Sequence, residues 1–354
     1  MYGALVRANQ LIIVSYKICF FFVGIFGNAC FIFLVASKRQ LQSKSSILQA
    51  TQCFSHIFCL IGTQVDTILT ILDVQLPRSQ CYPLVSGYVF FETAQAMIML
   101  MLVIDILVIV KLPKFYHKFS TAKYVFVMLI PAVIYGTAFF LWGFTDLDDE
   151  IIIFCNPPLA LHLEAGKWFA RTIVLLNILT LAVFISLIRI FYIKGLTQRG
   201  DSAKVMRRLQ LSVVIFLCSW FISQSAASFF FWLGLKGETL NFMVANVSFF
   251  VLLSFSQSFY VIIWKSKEYR QQFVSLWPSS HRHSLLDVLE CNHKHNSQFF
   301  YVVVWRSPEY RNAFLEAWSC IACCSRHKDK FAKSSKVSVA VHSIQGLAMI
   351  CSNA

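Results

Sequence analysis

Residues 81–118 read CYPLVSGYVFFETAQAMIMLMLVIDILVIVKLPKFYHK. Between Cys81 and Lys111 the only charged side chains are Glu92 and Asp105. An apolar run of about 20 residues is enough to cross the hydrocarbon core as a helix. The run shows no period-2 alternation, so it spans as a helix and not as a barrel strand, with every backbone polar group satisfied internally. It ends in Lys111, Lys114 and Lys118, with no acid beside them. Similar runs flank it, at 16–36, 46–72, 122–143, 167–193, 208–233 and 242–264, giving seven spans with 82–111 as the third. Composition agrees: the chain is 57% hydrophobic and 14% charged, whereas soluble domains carry about 25% charged residues. The 35 phenylalanines suit lipid-facing and ring-packed helix surfaces. The expected fold is an all-α membrane protein, a seven-transmembrane helix bundle.

Orientation follows from the loops. Lys38, Arg39 and Lys44 lie in the first; Lys111, Lys114, Lys118 and Lys123 in or beside the third; Lys194, Arg199, Lys204, Arg207 and Arg208 in the fifth. The alternate loops are neutral or acidic, notably Asp146, Asp148, Asp149 and Glu150, a run read as a solvated face. Lys and Arg near helix ends mark the cytoplasmic side, so residues 1–15 form a short extracellular N-terminus and the tail is cytoplasmic. No cleavable leader pattern precedes the first span, which is expected to act as its own insertion signal. Lys17, at the edge of that span, is expected to snorkel outward. Most of the net charge of +14 is this topology signal. It suits anionic lipid and an acidic protein surface at the inner face; no nucleic-acid partner is expected.

After the bundle (16–264), Tyr269, Phe273 and Trp277 recur every four residues among charges. That stripe predicts a short amphipathic helix over 265–277, placed on the inner membrane surface. The tail, 278–354, contains a partial repeat. SQSFYVIIWKSKEYRQQFVSLW at 256–277 aligns without a gap with SQFFYVVVWRSPEYRNAFLEAW at 297–318. The apolar part of the second copy, Phe299 to Trp305, is too short to span. Cys320, Cys323 and Cys324 follow it as candidate palmitoylation sites.

The sequence points away from an enzyme: it contains no phosphate-binding glycine loop, metal-ligand pair at helical spacing or nucleophile elbow, and no cofactor or metal is expected. Cys81, at the outer end of the third span, and Cys155, in the second outer loop, both face the side where disulfides persist. A bridge between them would pin that loop over the bundle mouth; the alternative is two free thiols.

Gly27-Asn28, Cys81, Asp105, Cys155, Trp220 and Tyr260 together resemble the rhodopsin-like G-protein-coupled receptor layout. Several blocks resemble more closely the nematode serpentine chemoreceptors of the Srsx class. They are Gly27-Asn28, Ser43-Lys44-Ser45-Ser46 with Gln52-Cys53, Ile104-Asp105-Ile106-Leu107, Pro113 with Tyr116, Cys155-Asn156-Pro157-Pro158, and Trp264 with Glu268-Tyr269-Arg270. The likeness covers about residues 16–277. It implies a multi-pass receptor of the plasma membrane, sensory cilia included, taking a small-molecule or peptide ligand and coupling to a heterotrimeric G protein.

The sequence also departs from that layout. Asp105 is followed by Ile106 and Leu107, without the Arg expected to enter the G-protein cleft, and His56 stands where the second helix usually carries an Asp. The sixth helix lacks its kinking Pro, and the seventh reads Ser256-Gln257-Ser258-Phe259-Tyr260 in place of Asn-Pro-x-x-Tyr. Ion-modulated gating and an Arg switch are therefore in question.

Ionisable groups inside spans are functional candidates by default. Glu92, with Tyr88 and Met99 near its face, lies at the depth where the resembled receptors line their ligand pocket; it is expected to contact a ligand amine or hydroxyl, or to bond to a neighbouring helix. Asp66 shares that pocket or reaches water. His56 reads as a hydrogen-bonded core histidine. Gln224, Asn177 and Asn246 are expected to hold helix to helix. The resemblance adds Trp220 as a rotamer switch under the ligand, with Gln224 in the same pocket; plain packing is the alternative. It also puts Asp105, Pro113, Tyr116 and Tyr260 at the face where activation is controlled, Asp105 capping backbone or pairing with a lysine such as Lys114. The competing functions are a chemosensory ligand-gated channel or transporter, and a receptor-like protein that no longer signals.

Overall fold

The computed structural model describes residues 2–145, 147–152, 155–193, 217–233 and 237–275. The repeat at 297–318, Cys320, Cys323 and Cys324, Trp277 and the basic loop 194–207 lie outside the described residues.

Helices account for nearly all of it: α1 (Tyr2–Ser37), α2 (Lys44–Leu72), α3 (Arg78–Lys111), α4 (Pro113–Lys118), α5 (Thr121–Trp142), α6 (Pro157–Ala160) and α7 (Leu163–Ile193). A π-turn over Leu217–Phe221 leads into α8 (Ile222–Trp232), followed by α9 (Gly237–Ser256), α10 (Ser258–Lys265) and α11 (Lys267–Val274). Among the described residues, five helices are long and apolar enough to cross a membrane: Arg7–Ser37, α2, α3, α5 and α7. The pair Phe242–Ser256 and Ser258–Trp264, bent by 51°, makes a sixth. The stretch expected to form the sixth span in chain order, 208–233, is described only from Leu217 onward. Leu11, Phe33, Phe126, Ile134, Leu175 and Ile178 stand exposed on α1, α5 and α7. Water would not tolerate so much contiguous apolar surface, but lipid does.

The helix interiors are ordered by close approach. A Cβ on Gly24 would lie 2.5 Å from a Leu60 methyl and 2.6 Å from the Ser256 hydroxyl oxygen, and one on Gly27 would lie 3.0 Å from the Tyr260 ring. Small residues thus let α1 meet α2 and the bent last span at backbone distance, as membrane bundles require. Asn28 Nδ2 donates to the Phe255 carbonyl at 2.8 Å, and the Tyr260 hydroxyl donates to the Val23 carbonyl at 2.9 Å.

Four local readings are corrected. α1 begins at Tyr2, so residues placed before the first span are helical. Lys17 does not snorkel: it is buried, and its Nζ lies 2.5 Å from Asp66 Oδ2. α1 runs toward the opposite end of the bundle from α2, which puts a base near the start of one at the depth of an acid near the end of the other. The stripe of α11 faces the bundle: the Tyr269 ring stacks on Phe31 at 5.7 Å and Phe273 meets Phe259 at 5.3 Å. These two rings pack on protein because α10 ends at once and turns α11 back under α1. The acidic run, finally, is more than a solvated face. The Arg78 and Ser79 amides, which open α3, donate at 2.9 Å to the Glu150 and Asp148 carbonyls, satisfying groups a helix N-terminus leaves without partners.

At that same end, Leu76–Pro77 pairs antiparallel with Ile151–Ile152, and Cys81 is bonded to Cys155 with Cα atoms 5.6 Å apart. Buried Arg78 reaches the Asp148 carboxylate through Nη1, and Glu150 through Nη2 at 2.8 Å. Because both acids are solvent-exposed, their attraction is screened. Arg78→Ala is expected to cost about 1–2 kcal/mol, through the lost charge-assisted hydrogen bonds and the packing of the buried Arg78 stem. Hydrogen exchange checks this: the amides of 147–152 should exchange faster in the variant, and those of α7 should not.

Candidate functional site

Most of the described residues selected from sequence fall into two groups, one in the bundle core and one at the end that carries Asp105. In the core, Glu92 is buried on α3, and Gln224 Nε2 of α8 donates to its Oε1 at 3.4 Å. Its other oxygen, Oε2, has no hydrogen-bond partner among the described residues. Tyr88, one turn away on α3, is buried within electrostatic reach of both Glu92 and Asp66. α2 passes it closely: a Cβ on Gly62 would lie 2.6 Å from that of Tyr88. Trp220 is fully buried in the π-turn; its indole N–H donates to Asn177 Oδ1 of α7 at 2.8 Å, and its ring lies 6.0 Å from Phe255. Glu92, Tyr88, Gln224 and Trp220 thus join α3, α7 and α8 at one level.

Asp66, one turn along α2 from Gly62, is paired with Lys17. It lines a cleft at the disulfide end with Gln10, Thr70, Gln75, Ile152 and Cys155. Met99, two turns along α3 from Glu92, takes a contact from Gln52 Nε2 at 3.4 Å. His56 is buried with both ring nitrogens lacking partners among the described residues, its ring 5.5 Å from Phe255. The expected hydrogen-bonded histidine is therefore corrected to an apolar setting, because α2 turns it toward an aromatic side chain. Asn246 is also corrected: its Nδ2 donates to Phe242 O at 2.8 Å, within its own helix.

At the other end, sequence reading missed the organising element, the first turn of α2. Ser43 caps it, accepting the Ser46 amide at 3.1 Å. The next three residues each reach a different neighbour. Lys44 Nζ donates to the Tyr116 carbonyl and lies 4.3 and 5.0 Å from the Tyr116 and Tyr124 ring centroids. The Ser45 hydroxyl donates to Asp105 Oδ2. Ser46 Oγ lies 2.6 Å from the Tyr269 hydroxyl of α11. Asp105 is fully buried, and its Oδ1 has no hydrogen-bond partner among the described residues. Lys114, the expected partner, is exposed. A helix that rises directly from Ser43 points its first three side chains to three sides, and so reaches α3, α4 and α11 together.

Pro113 opens α4, where its missing N–H costs nothing. Burial pushes the Tyr116 phenol above its ordinary pKa; a Ser45 hydrogen bond opposes this, and the Asp105 charge adds to it. Tyr269 is raised for the same leading reason, with the Ser46 bond opposing. Both stay neutral donors at physiological pH. The junction could have been suspected from sequence, because Ser43-Lys44-Ser45-Ser46 puts four hydrogen-bonding side chains where the resemblance already marked a block.

In place of the two missing prolines, the chain has other irregularities. A π-turn at Leu217–Phe221 leads into α8 and holds Trp220. The last span bends at Gln257, whose Nε2 donates to Ser219 Oγ at 2.9 Å. Such bulges and inserted side chains are recognised causes of helix bending.

No curated protein matches the chain. The family model described as "Serpentine type 7TM GPCR chemoreceptor Srsx" matches residues 21–277, which takes in both site levels and α11. With that match over most of its length, the chain belongs to the Srsx family of serpentine seven-transmembrane chemoreceptors.

Proposed function

We propose that this chemoreceptor binds an extracellular ligand at the level of Tyr88, Glu92, Trp220 and Gln224, with Asp66 in the cleft above, and signals to a heterotrimeric G protein from the Asp105 end. The reading carries the N-terminus outside, the Asp105 end in the cytoplasm and the receptor in the plasma membrane, sensory cilia included. The tail beyond 278 lies in the cytoplasm.

The observation that supports it best is the state of Glu92. Among the described residues, one buried Glu92 oxygen has no partner, which is costly, and the bond of the other to α8 is long at 3.4 Å. A ligand amine or hydroxyl would supply the missing donor and compete with Gln224. It would thereby shift the population between two packings of the sixth span on α3. Trp220, tied to Asn177, is the side chain such a shift would move.

The test begins with ligand-evoked G-protein activation in cells displaying an N-terminal tag, screened with polar and cationic compounds. For any active compound, Glu92→Gln is expected to lower potency about 10–100-fold, the worth of a hydrogen bond to a charged group. Trp220→Leu is expected to leave surface display intact and lower the maximal response. A tag reached only after permeabilisation would overturn the orientation. Ile106, in the place of the expected Arg, favours one other reading, a receptor that binds but does not signal. Ligand binding without any G-protein activation would establish that reading.

A further inference from the structure

We infer that α4 and the start of α5 form a docking site for anionic phospholipid head groups on the Asp105 side of the membrane. Three faces of this short helix have different fates. Tyr116 is half-buried, its carbonyl taken by Lys44 and its ring 5.2 Å from Tyr124, which fixes how the helix is turned. The apolar side chains beside it are not covered: Leu112 is 54% exposed, Phe115 48% and Phe119 39%. The two rings touch at 4.7 Å, forming a single apolar wedge. Lys111, Lys114 and Lys118 are exposed at helical spacing, with His117 between them, and exposed Lys123 follows in the first turn of α5.

The occupant follows from charge and position. No acidic residue lies anywhere between Asp105 and Asp146, so these lysines have no local counter-ion in sequence. α4 leaves α3 at the very end of a spanning helix, and α5 re-enters with Phe126 69% exposed and Val127 59%. The wedge therefore sits between two spanning helices, at the depth where the second begins with exposed apolar side chains. An exposed aromatic wedge flanked by lysines, held at the bilayer boundary, suits insertion between negatively charged head groups. The leaflet assignment rests on the proposed orientation, under which this surface meets the cytoplasmic leaflet, where anionic lipid is concentrated.

The full-length receptor would be placed in nanodiscs of phosphatidylcholine containing a trace of photoreactive phosphatidylserine or photoreactive phosphatidylcholine, and the labelled peptides mapped. Peptides covering 111–123 should take the serine probe in several-fold preference. Lys114→Gln, Lys118→Gln and Lys123→Gln together should bring that preference close to one, since each lysine near the surface contributes to the attraction. Phe115→Ser with Phe119→Ser should lower labelling by both probes. All these positions are exposed, and an unchanged thermal midpoint checks that the variants fold. Equal labelling by the two probes would overturn the head-group site. So would labelling confined to other segments while added G protein protects 111–123 from proteolysis. None of these readouts requires signalling, so a receptor silent in the G-protein assay still tests the lipid site.

Discussion

Replacing Asp66 with leucine while Lys17 remains is expected to destabilise the receptor by about 3–5 kcal/mol, the usual cost of orphaning one member of a buried ion pair. The pair is 2.5 Å apart with side chains only 11% and 10% exposed, both inside spanning helices. The ammonium left behind would have no counter-ion and little water. An intramembrane lysine in that condition forces the helix to tilt, admit water or deprotonate. Lys17→Leu alone should be harmful in the same way, leaving Asp66 charged and unpaired. The double variant, Lys17→Leu with Asp66→Leu, should recover most of the loss, because apolar replacement of a whole buried pair is often neutral or better. The measurement is the thermal midpoint of the receptor in detergent, with the surface-displayed fraction as its cellular counterpart. A double variant no better than either single one would show that the two charges do not act as a pair.

Serine at Cys81 is expected to cost about 4 kcal/mol on the loop-entropy account, since the bridge closes a loop with a sequence separation of 74. The loss should be felt first where the bridge acts. Without it, the short strand pair and the Arg78 contacts are left to hold the second loop, and an exposed ion pair does little alone. Cys155→Ser should give the same midpoint as Cys81→Ser, and the double variant should fall no further. Additive losses would mean that the two sulfurs stabilise the protein separately, contrary to the bond in the structure.

The sequence carried the architecture well and the contacts unevenly. Hydropathy located the spans because lipid demands an unbroken apolar helix, a demand every 20-residue window has to meet. Glu92, Gln224, Trp220 and Asn177 could be chosen singly, as polar or aromatic groups at one depth. That Gln224 meets Glu92 and Asn177 meets Trp220 depends on helix rotation, which a uniformly apolar helix such as α3 does not reveal. Lys17 and Asp66 were legible in principle, being opposite charges at matched depth in adjacent antiparallel helices. The snorkelling rule for terminal lysines pointed the other way, because it considers one helix and not its neighbour. The start of α1 was missed because residues 2–15 are less apolar than the span, though nothing in them stops a helix. The inward face of α11 was missed because an amphipathic stripe does not say which apolar surface it meets.

The bend at Gln257 has a mechanical consequence. A proline bend is permanent, since the ring removes an amide and blocks the carbonyl one turn back. Here no residue from Phe249 to Trp264 is a proline, and the Gln257 amide is itself bonded to the Leu253 carbonyl at 3.1 Å. The angle of 51° is held by side chains, among them Gln257 on Ser219, and those bonds can be exchanged. The last span is therefore a joint whose rest angle is set by its neighbours, and anything that moves the π-turn segment resets it.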